Sequence, residues 1–227
     1  MSNVTMDELL TQTAARHHHL CPRQVLGVRM GMLAGALLGL DLPQSDKRLF
    51  VFMETDGCAS DGVAVATGAW VGRRTMRMMD FGKVAATFVD TQSQAAVRIH
   101  PHPDSRERAI GTAREAADRW HAQLLGYQRL PDDELLVAES VTLTVDLAAW
   151  IGRPGRRQVC SGCGEEILNQ REIRQEEALL CRACAGESYY SSEPLLFRPT
   201  GACANATPAF AASEAKARLR RTSTTTP

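Results

Sequence analysis

The sequence predicts an α+β domain with a mostly antiparallel sheet and packed helices, followed by a small four-cysteine module. Three observations predict it. Apolar residues recur at helical spacing through "VLGVRMGMLAGALLGLDL". Several strand-length runs then follow one another without a helix between each pair, which argues against a strictly alternating parallel sheet. Two Cys-x-x-Cys pairs stand close together beyond residue 158, a spacing that in a reducing compartment points to metal rather than disulfides.

Taken in order, residues 1–20 read as a helix leading into "HHHLCP" at 17–22. Pro22 suits the first turn of a new helix, where its missing N–H costs nothing. Leu26, Met30, Leu33, Leu37 and Leu40 continue that helix on one stripe, and the interleaved Gly and Ala let another element pack close. "DLPQSDK" ends it. "RLFVFMET" is a strand, "DGCASDG" a loop, and "DGVAVATGAWVG" a helix with Ser60 or Asp61 as N-cap. "TMRMMD", "KVAATFVD" and "AAVRIHPHP" read as strands, the last stopped by prolines. "DSRERAIGTAREAADRWHAQLLGY" reads as one long amphipathic helix, with His121 packed beside Trp120. "ELLVAESVTLTVD" is the closing strand. The core therefore spans 1–150, a linker 151–158, the cysteine module 159–187, and a partly disordered basic, Ser/Thr-rich tail 188–227.

The chain has 227 residues, and its 26 Lys and Arg balance 26 Asp and Glu. A neutral total gives no argument for a nucleic-acid partner or a membrane surface. "MSNVTMDELLTQ" is polar and acidic, unlike a secretory signal, and "MGMLAGALLGL" is too short to span a bilayer. The expected location is the cytoplasm.

In the module, Cys160-x-x-Cys163 is followed after 17 residues by Cys181-x-x-Cys184. Zinc takes four ligands in a tetrahedron and suits thiolate; all four positions filled mark a structural site rather than a catalytic one. The segment has too few apolar residues for a core, so the metal replaces one. Cys203 has no partner nearby in sequence.

The N-terminal cluster is a second candidate. Cys21 falls at or beside the N-cap of the helix that Pro22 opens, where the helix dipole favours its thiolate. In an extended or irregular segment His17, His19 and Cys21 share one side and His18 turns away. Such a set suits a transition metal; the same residues also read as a surface histidine cluster beside a buried cysteine.

These segments resemble the E-subunit family of formylmethanofuran dehydrogenase. His17, His19, Leu20, Cys21, Pro22, Gly27 and Arg29 match its first segment. Glu54, Thr55, Asp56, Cys58, Asp61, Gly68 and Gly72 match its second, and Asp80, Gly82, Lys83 and "AVRIH" match a later turn and strand. Many members carry a C-terminal treble-clef finger. The chain departs from the family where His18 and Arg23 replace glycines, and where Ala69-Trp70 replaces a Cys-Thr pair. The resemblance implies an α+β core in which Cys58 and Asp61 join His17, His19 and Cys21 in one site.

Three functions follow as expectations. One is a metal-binding accessory protein of a molybdenum- or tungsten-enzyme system, with a second metal at the His/Cys site and a metalloenzyme component as partner. The chain has no ferredoxin-type cysteine pattern, so it does not run the family's reduction alone. Another is a stand-alone metal- or thiolate-dependent enzyme, with Cys21 as nucleophile or ligand and Asp61 as acid/base. The third is a zinc-finger regulator of nucleic acid, which "GRPGRRQ" favours and the neutral charge disfavours. The Gly/Ala-rich helix 26–40 and the long helix 104–126 also offer faces for a homodimer. "DFGK" reads as a turn, because the other kinase signatures are missing. His100 and His102 read as an exposed, proline-stiffened loop, and Trp70 as a core or pocket-wall residue.

Overall fold

The computed structural model describes residues 4–152 and 155–191, apart from the side chain of His17. The tail from residue 192, with Cys203, lies outside the described residues. The chain forms two compact units. One comprises the chain up to Arg157 together with Leu168–Gln170; the other comprises Gln158–Ile167 and the described residues from Arg171 on.

The first unit opens with α1 (Met6–His17), started by a reciprocal cap in which the Thr5 hydroxyl accepts from the Glu8 amide at 3.3 Å. Then come α2 (Pro22–Leu38), β1 (Leu49–Met53), α3 (Cys58–Thr67), β2 (Met76–Met78), β3 (Ala86–Asp90) and β4 (Ala96–Pro101). They are followed by α4 (Ser105–Thr112), α5 (Arg119–Arg129), α6 (Asp132–Leu135), β5 (Leu136–Ser140) and α7 (Leu147–Ile151). The strands form one sheet in the order β2-β1-β3-β4-β5, antiparallel except for the β1–β2 pair that α3 connects.

The two faces of the sheet are read directly from the alternation in β1. Leu49, Val51 and Met53 face a core shared with α1, α2 and α3, while Phe50 and Phe52 face a smaller cluster. That second cluster is covered by Val141, Leu143, Val145, Leu147 and Trp150, with the Trp150 ring edge-on to Phe52 at 5.7 Å. Residues 141–146 are therefore not a continuation of the closing strand, which ends at Ser140. Their alternating apolar side chains pack across the sheet face instead of pairing along its edge.

One further element differs from expectation. The long helix breaks into α4 and α5, which pack closely at Gly126: a Cβ there would lie 2.3 Å from the Ala109 carbonyl oxygen. The two helices fold back on each other, and Asp118 caps the second by accepting from the His121 amide. His121 is exposed, its ring edge-on to Trp120 at 4.9 Å and its Nδ1 2.9 Å from Asp118 Oδ2.

Arg29, buried within α2, holds this helical pair to the core. It donates to the Tyr127 and Leu130 carbonyl oxygens, both at 2.7 Å, and to Asp132 Oδ1 at 2.7 Å. One guanidinium thus satisfies carbonyls at the end of α5 that the helix cannot. Among the described residues no helix is long and apolar enough to cross a membrane.

The second unit contains two short hairpins, β6 (Arg157–Val159) with β7 (Glu166–Leu168) and β8 (Ile173–Gln175) with β9 (Ala178–Leu180). A helical turn, Ala183–Glu187, follows.

Candidate metal and ligand sites

The site in the core is made by two glycines. A Cβ on Gly27 would lie 2.2 Å from the Ala59 carbonyl oxygen, and one on Gly62 would lie 2.4 Å from that of Gln24. Neither position accepts a side chain, so α2 and α3 touch backbone to backbone. Further along, Gly31 faces Ala66 in the same manner. The contacts advance together along both helices, so the helices are parallel and their N-termini lie at the same end.

Cys21 and Cys58 occupy those two N-termini. Cys21 is the N-cap of α2 with Pro22 at the first helical position, as the sequence predicts. Gln24, fully buried, accepts from the Cys21 amide at 2.7 Å and donates to the Thr13 carbonyl at 3.2 Å, which fixes the start of α2 against α1. Helix α3 starts earlier than expected: Gly57, at φ 81°, is its N-cap and Cys58 its first residue, so Ser60 and Asp61 fall inside the first turn. Only glycine takes that backbone region without strain. Cys21 is buried and Cys58 partly so, and both are free thiols. Burial pushes the Cys58 thiol up, and the adjacent Cys21 thiol and the Asp61 charge push it further.

Both thiols line a cavity of about 680 Å³. Pro22, Arg23 and Leu26 of α2 form one wall, and Val84, residues 101–103 and residues 105–107 another. Trp120, Gln123 and Tyr127 of α5 close it. His102 belongs to this lining, not to a free loop. Its Nδ1 accepts from the Asp104 amide at 3.1 Å, and Arg108 Nη2 lies 3.3 Å from its Nε2, so the ring is a braced wall. Beside it, Glu54 and Arg98 form a two-pronged pair at 2.7 and 2.8 Å that anchors the loop leading to Cys58. The Arg98 guanidinium holds the Glu54 carboxyl below its ordinary range.

The structure brings Cys21 and Cys58 together, with Asp61 near enough to act on Cys58 through its charge but outside the cavity lining. His17 ends α1, His18 takes a left-handed conformation, and the segment that leads to Cys21 is irregular rather than extended. His19 is exposed and does not line the cavity; the His17 side chain lies outside the described residues. Trp70 packs against the main core, its ring under the Arg16 guanidinium at 3.6 Å. It does not line the thiol cavity, so the Ala69-Trp70 replacement leaves that cavity's walls alone. Sequence reasoning misses Arg106, Trp120 and Tyr127 as lining. Their one signal is a bulky indole on the charged stretch 104–126, which reads as packing.

The second unit forms the metal centre. All four sulfurs, of Cys160, Cys163, Cys181 and Cys184, lie within 4.8 Å of one another. Cys163 and Cys181 are 4.0 Å apart. A tetrahedral zinc with bonds of about 2.3 Å sets its sulfurs about 3.8 Å apart, so the donors fit that ion. Gly162 allows the closure, since a Cβ there would sit 3.1 Å from Cys184 Sγ. Backbone N–H groups of Cys163 and Cys181 draw the Cys160 thiol down to about 6, while the other three thiols crowd Cys184 up to about 12. Four thiolates so close need a cation between them. The knuckle, hairpin and helical turn give the treble-clef arrangement. Among the described residues this is the only group of three or more His, Cys, Asp or Glu side chains placed to hold a metal.

Comparison with known proteins agrees with both units. The family described as "FmdE, Molybdenum formylmethanofuran dehydrogenase operon" matches residues 16–137. The "Prokaryotic dksA/traR C4-type zinc finger" matches residues 154–190, which supports zinc binding by the four cysteines. A "Probable S-adenosyl-L-methionine-binding protein" of Archaeoglobus fulgidus is 26% identical over 208 residues, 82% of this chain and 54% of that protein. The chain thus spans about half the length of that curated relative. A solved structure, an FmdE-like protein of tungsten formylmethanofuran dehydrogenase type from Syntrophus aciditrophicus, is similar with a TM-score of 0.54 at 19% identity. It covers 83% of this chain and 96% of its own, a likeness of fold.

Proposed function

Because the chain belongs to the FmdE family and is a metal-binding protein with a C-terminal zinc finger, we propose that it is an accessory protein of a molybdenum- or tungsten-enzyme system. The observation that carries this reading is the Cys21–Cys58 pair, set at two parallel helix starts on the wall of a large cavity. Two thiolates there are a soft ligand pair for a second metal ion, the donor type that selects such ions over hard ones. His17, adjoining the pair in sequence, and the incoming molecule would supply further ligands. The finger is then the structural module that meets a metalloenzyme partner. The stand-alone enzyme reading needs Asp61 facing the reactants, and Asp61 is not part of the cavity wall.

The test is co-expression of the untagged chain with a molybdenum- or tungsten-containing formylmethanofuran dehydrogenase. Co-purification of a molybdenum- or tungsten-bearing polypeptide, weakened in Cys181→Ser, supports the reading. A chain that elutes free of every dehydrogenase component under all loading conditions contradicts it.

A second reading takes its warrant from the name of the Archaeoglobus fulgidus relative and from the cavity, whose volume and indole wall have room for S-adenosyl-L-methionine. Saturable, one-per-chain binding by calorimetry supports it; no heat at millimolar ligand removes it.

A further inference from the structure

We infer that the cavity beside the thiol pair takes an organic anion with a flat apolar ring, the ring against Trp120 and the acidic group between Arg23 and Arg106. The inference rests on reading this cavity as a binding site and does not depend on a second metal.

The volume, about 680 Å³, lies in the range of small-molecule sites, roughly 300–1,000 Å³. Its charged lining is unequal: Arg23 and Arg106 stand against Glu107 alone. His102 adds no free donor set, because its ring is braced by the Asp104 amide and Arg108. Both α2 and α3 begin at this wall with their N-termini at the same end, so both helix dipoles add to the positive side. Arg106 lies near enough to the Tyr127 hydroxyl for its charge to act there. An acidic group on the ligand meets this field.

The apolar half of the ligand follows from Trp120. Its side chain lines the cavity, yet the residue remains 44% exposed. The indole shares this lining with Pro22, Leu26 and Val84 and meets the His121 ring edge-on at 4.9 Å, so its open surface can take a planar ring by stacking. A carboxylate, phosphate or sulfonate would serve equally at the arginines, which bind planar acidic groups through paired N–H donors.

The experiment uses the zinc-loaded full chain and two fluorescent probes: 8-anilinonaphthalene-1-sulfonate and its uncharged counterpart N-phenyl-1-naphthylamine. The sulfonate is expected to bind about tenfold more tightly than the uncharged probe. Combined Arg23→Gln and Arg106→Gln should remove that advantage and leave the uncharged probe unchanged. Trp120→Ala should weaken both. Arg23→Gln alone, at an exposed position, should lower sulfonate affinity without touching the fold, which circular dichroism and finger zinc content verify. Equal affinity of the two probes for the wild type, or a sulfonate advantage that survives both arginine substitutions, would overturn the inference. Wild-type binding of both probes by Trp120→Ala would do the same. Metal content measured on the same samples separates this outcome from that of the second-metal reading.

Discussion

The core closes α2 on α3 backbone to backbone and buries β1 and β3 along their whole length, whereas among the described residues the finger buries only Cys160 and Ile167. Each unit carries paired cysteines, but the pairs do different work. In the finger the sulfurs are the core, so metal and fold are one event. In the first unit Cys21 and Cys58 sit on a scaffold already held by apolar burial and by Arg29, so a metal there is a ligand of a folded protein. Proximity of cysteines therefore has two meanings in one chain, and burial of the surrounding residues tells them apart.

The sharpest way to break this contrast is to remove one finger thiolate. Cys160→Ser or Cys184→Ser should cost the finger its zinc and its fold, since small zinc modules draw about 10–16 kcal/mol of apparent binding energy from the metal. The core should keep its denaturation midpoint. Zinc content and region-resolved amide exchange measure both; a mutant finger that holds a full equivalent of zinc contradicts the four-cysteine centre.

The reverse experiment loads the helix crossing. Gly27→Val forces a side chain onto the Ala59 carbonyl and should cost about 3 kcal/mol or more by urea denaturation, with finger zinc unchanged. Gly111→Ala is the control, because a Cβ there meets nothing within 4 Å; it should be neutral or stabilising by up to about 1 kcal/mol.

A smaller effect distinguishes the units by pH. Arg98 holds Glu54, and Arg48 holds Asp90, below the ordinary carboxylate range. A lowered native pKa gives stability that is complete above the unfolded value, about 4, and is lost as pH falls towards the native one. Core stability should therefore drop below about pH 4. Glu54→Gln should cost about 2 kcal/mol at neutral pH and flatten part of that dependence. A mutant whose stability tracks the wild type at every pH would remove Glu54 from the account.

Much of this was legible in the sequence because it depends on local pattern. "RLFVFMET" read as a strand, Pro22 marked a helix start, and the Cys-x-x-Cys spacing located the finger. What failed depended on partners far away in the chain. The fold-back of α5 on α4 closes where Gly126 meets Ala109, a contact that no periodicity announces. The alternating run after Ser140 packs across a face, and alternation alone cannot distinguish packing from pairing. The candidate site was half legible. Cys21 and Cys58 came from the resemblance and from helix starts, but the cavity needed α5, whose Trp120 and Tyr127 reach it only through the fold-back. Between His17 and Cys21 the chain is irregular rather than extended, because α1 runs on to His17.

The central claim is that the core thiol pair holds its own metal on an already folded unit. Metal equivalents per untagged chain test it directly, in the wild type and in Cys21→Ser and Cys58→Ser. The account predicts two equivalents in the wild type, and one in either variant, with finger zinc and core stability retained. One equivalent in the wild type, or two that survive both substitutions, would contradict it.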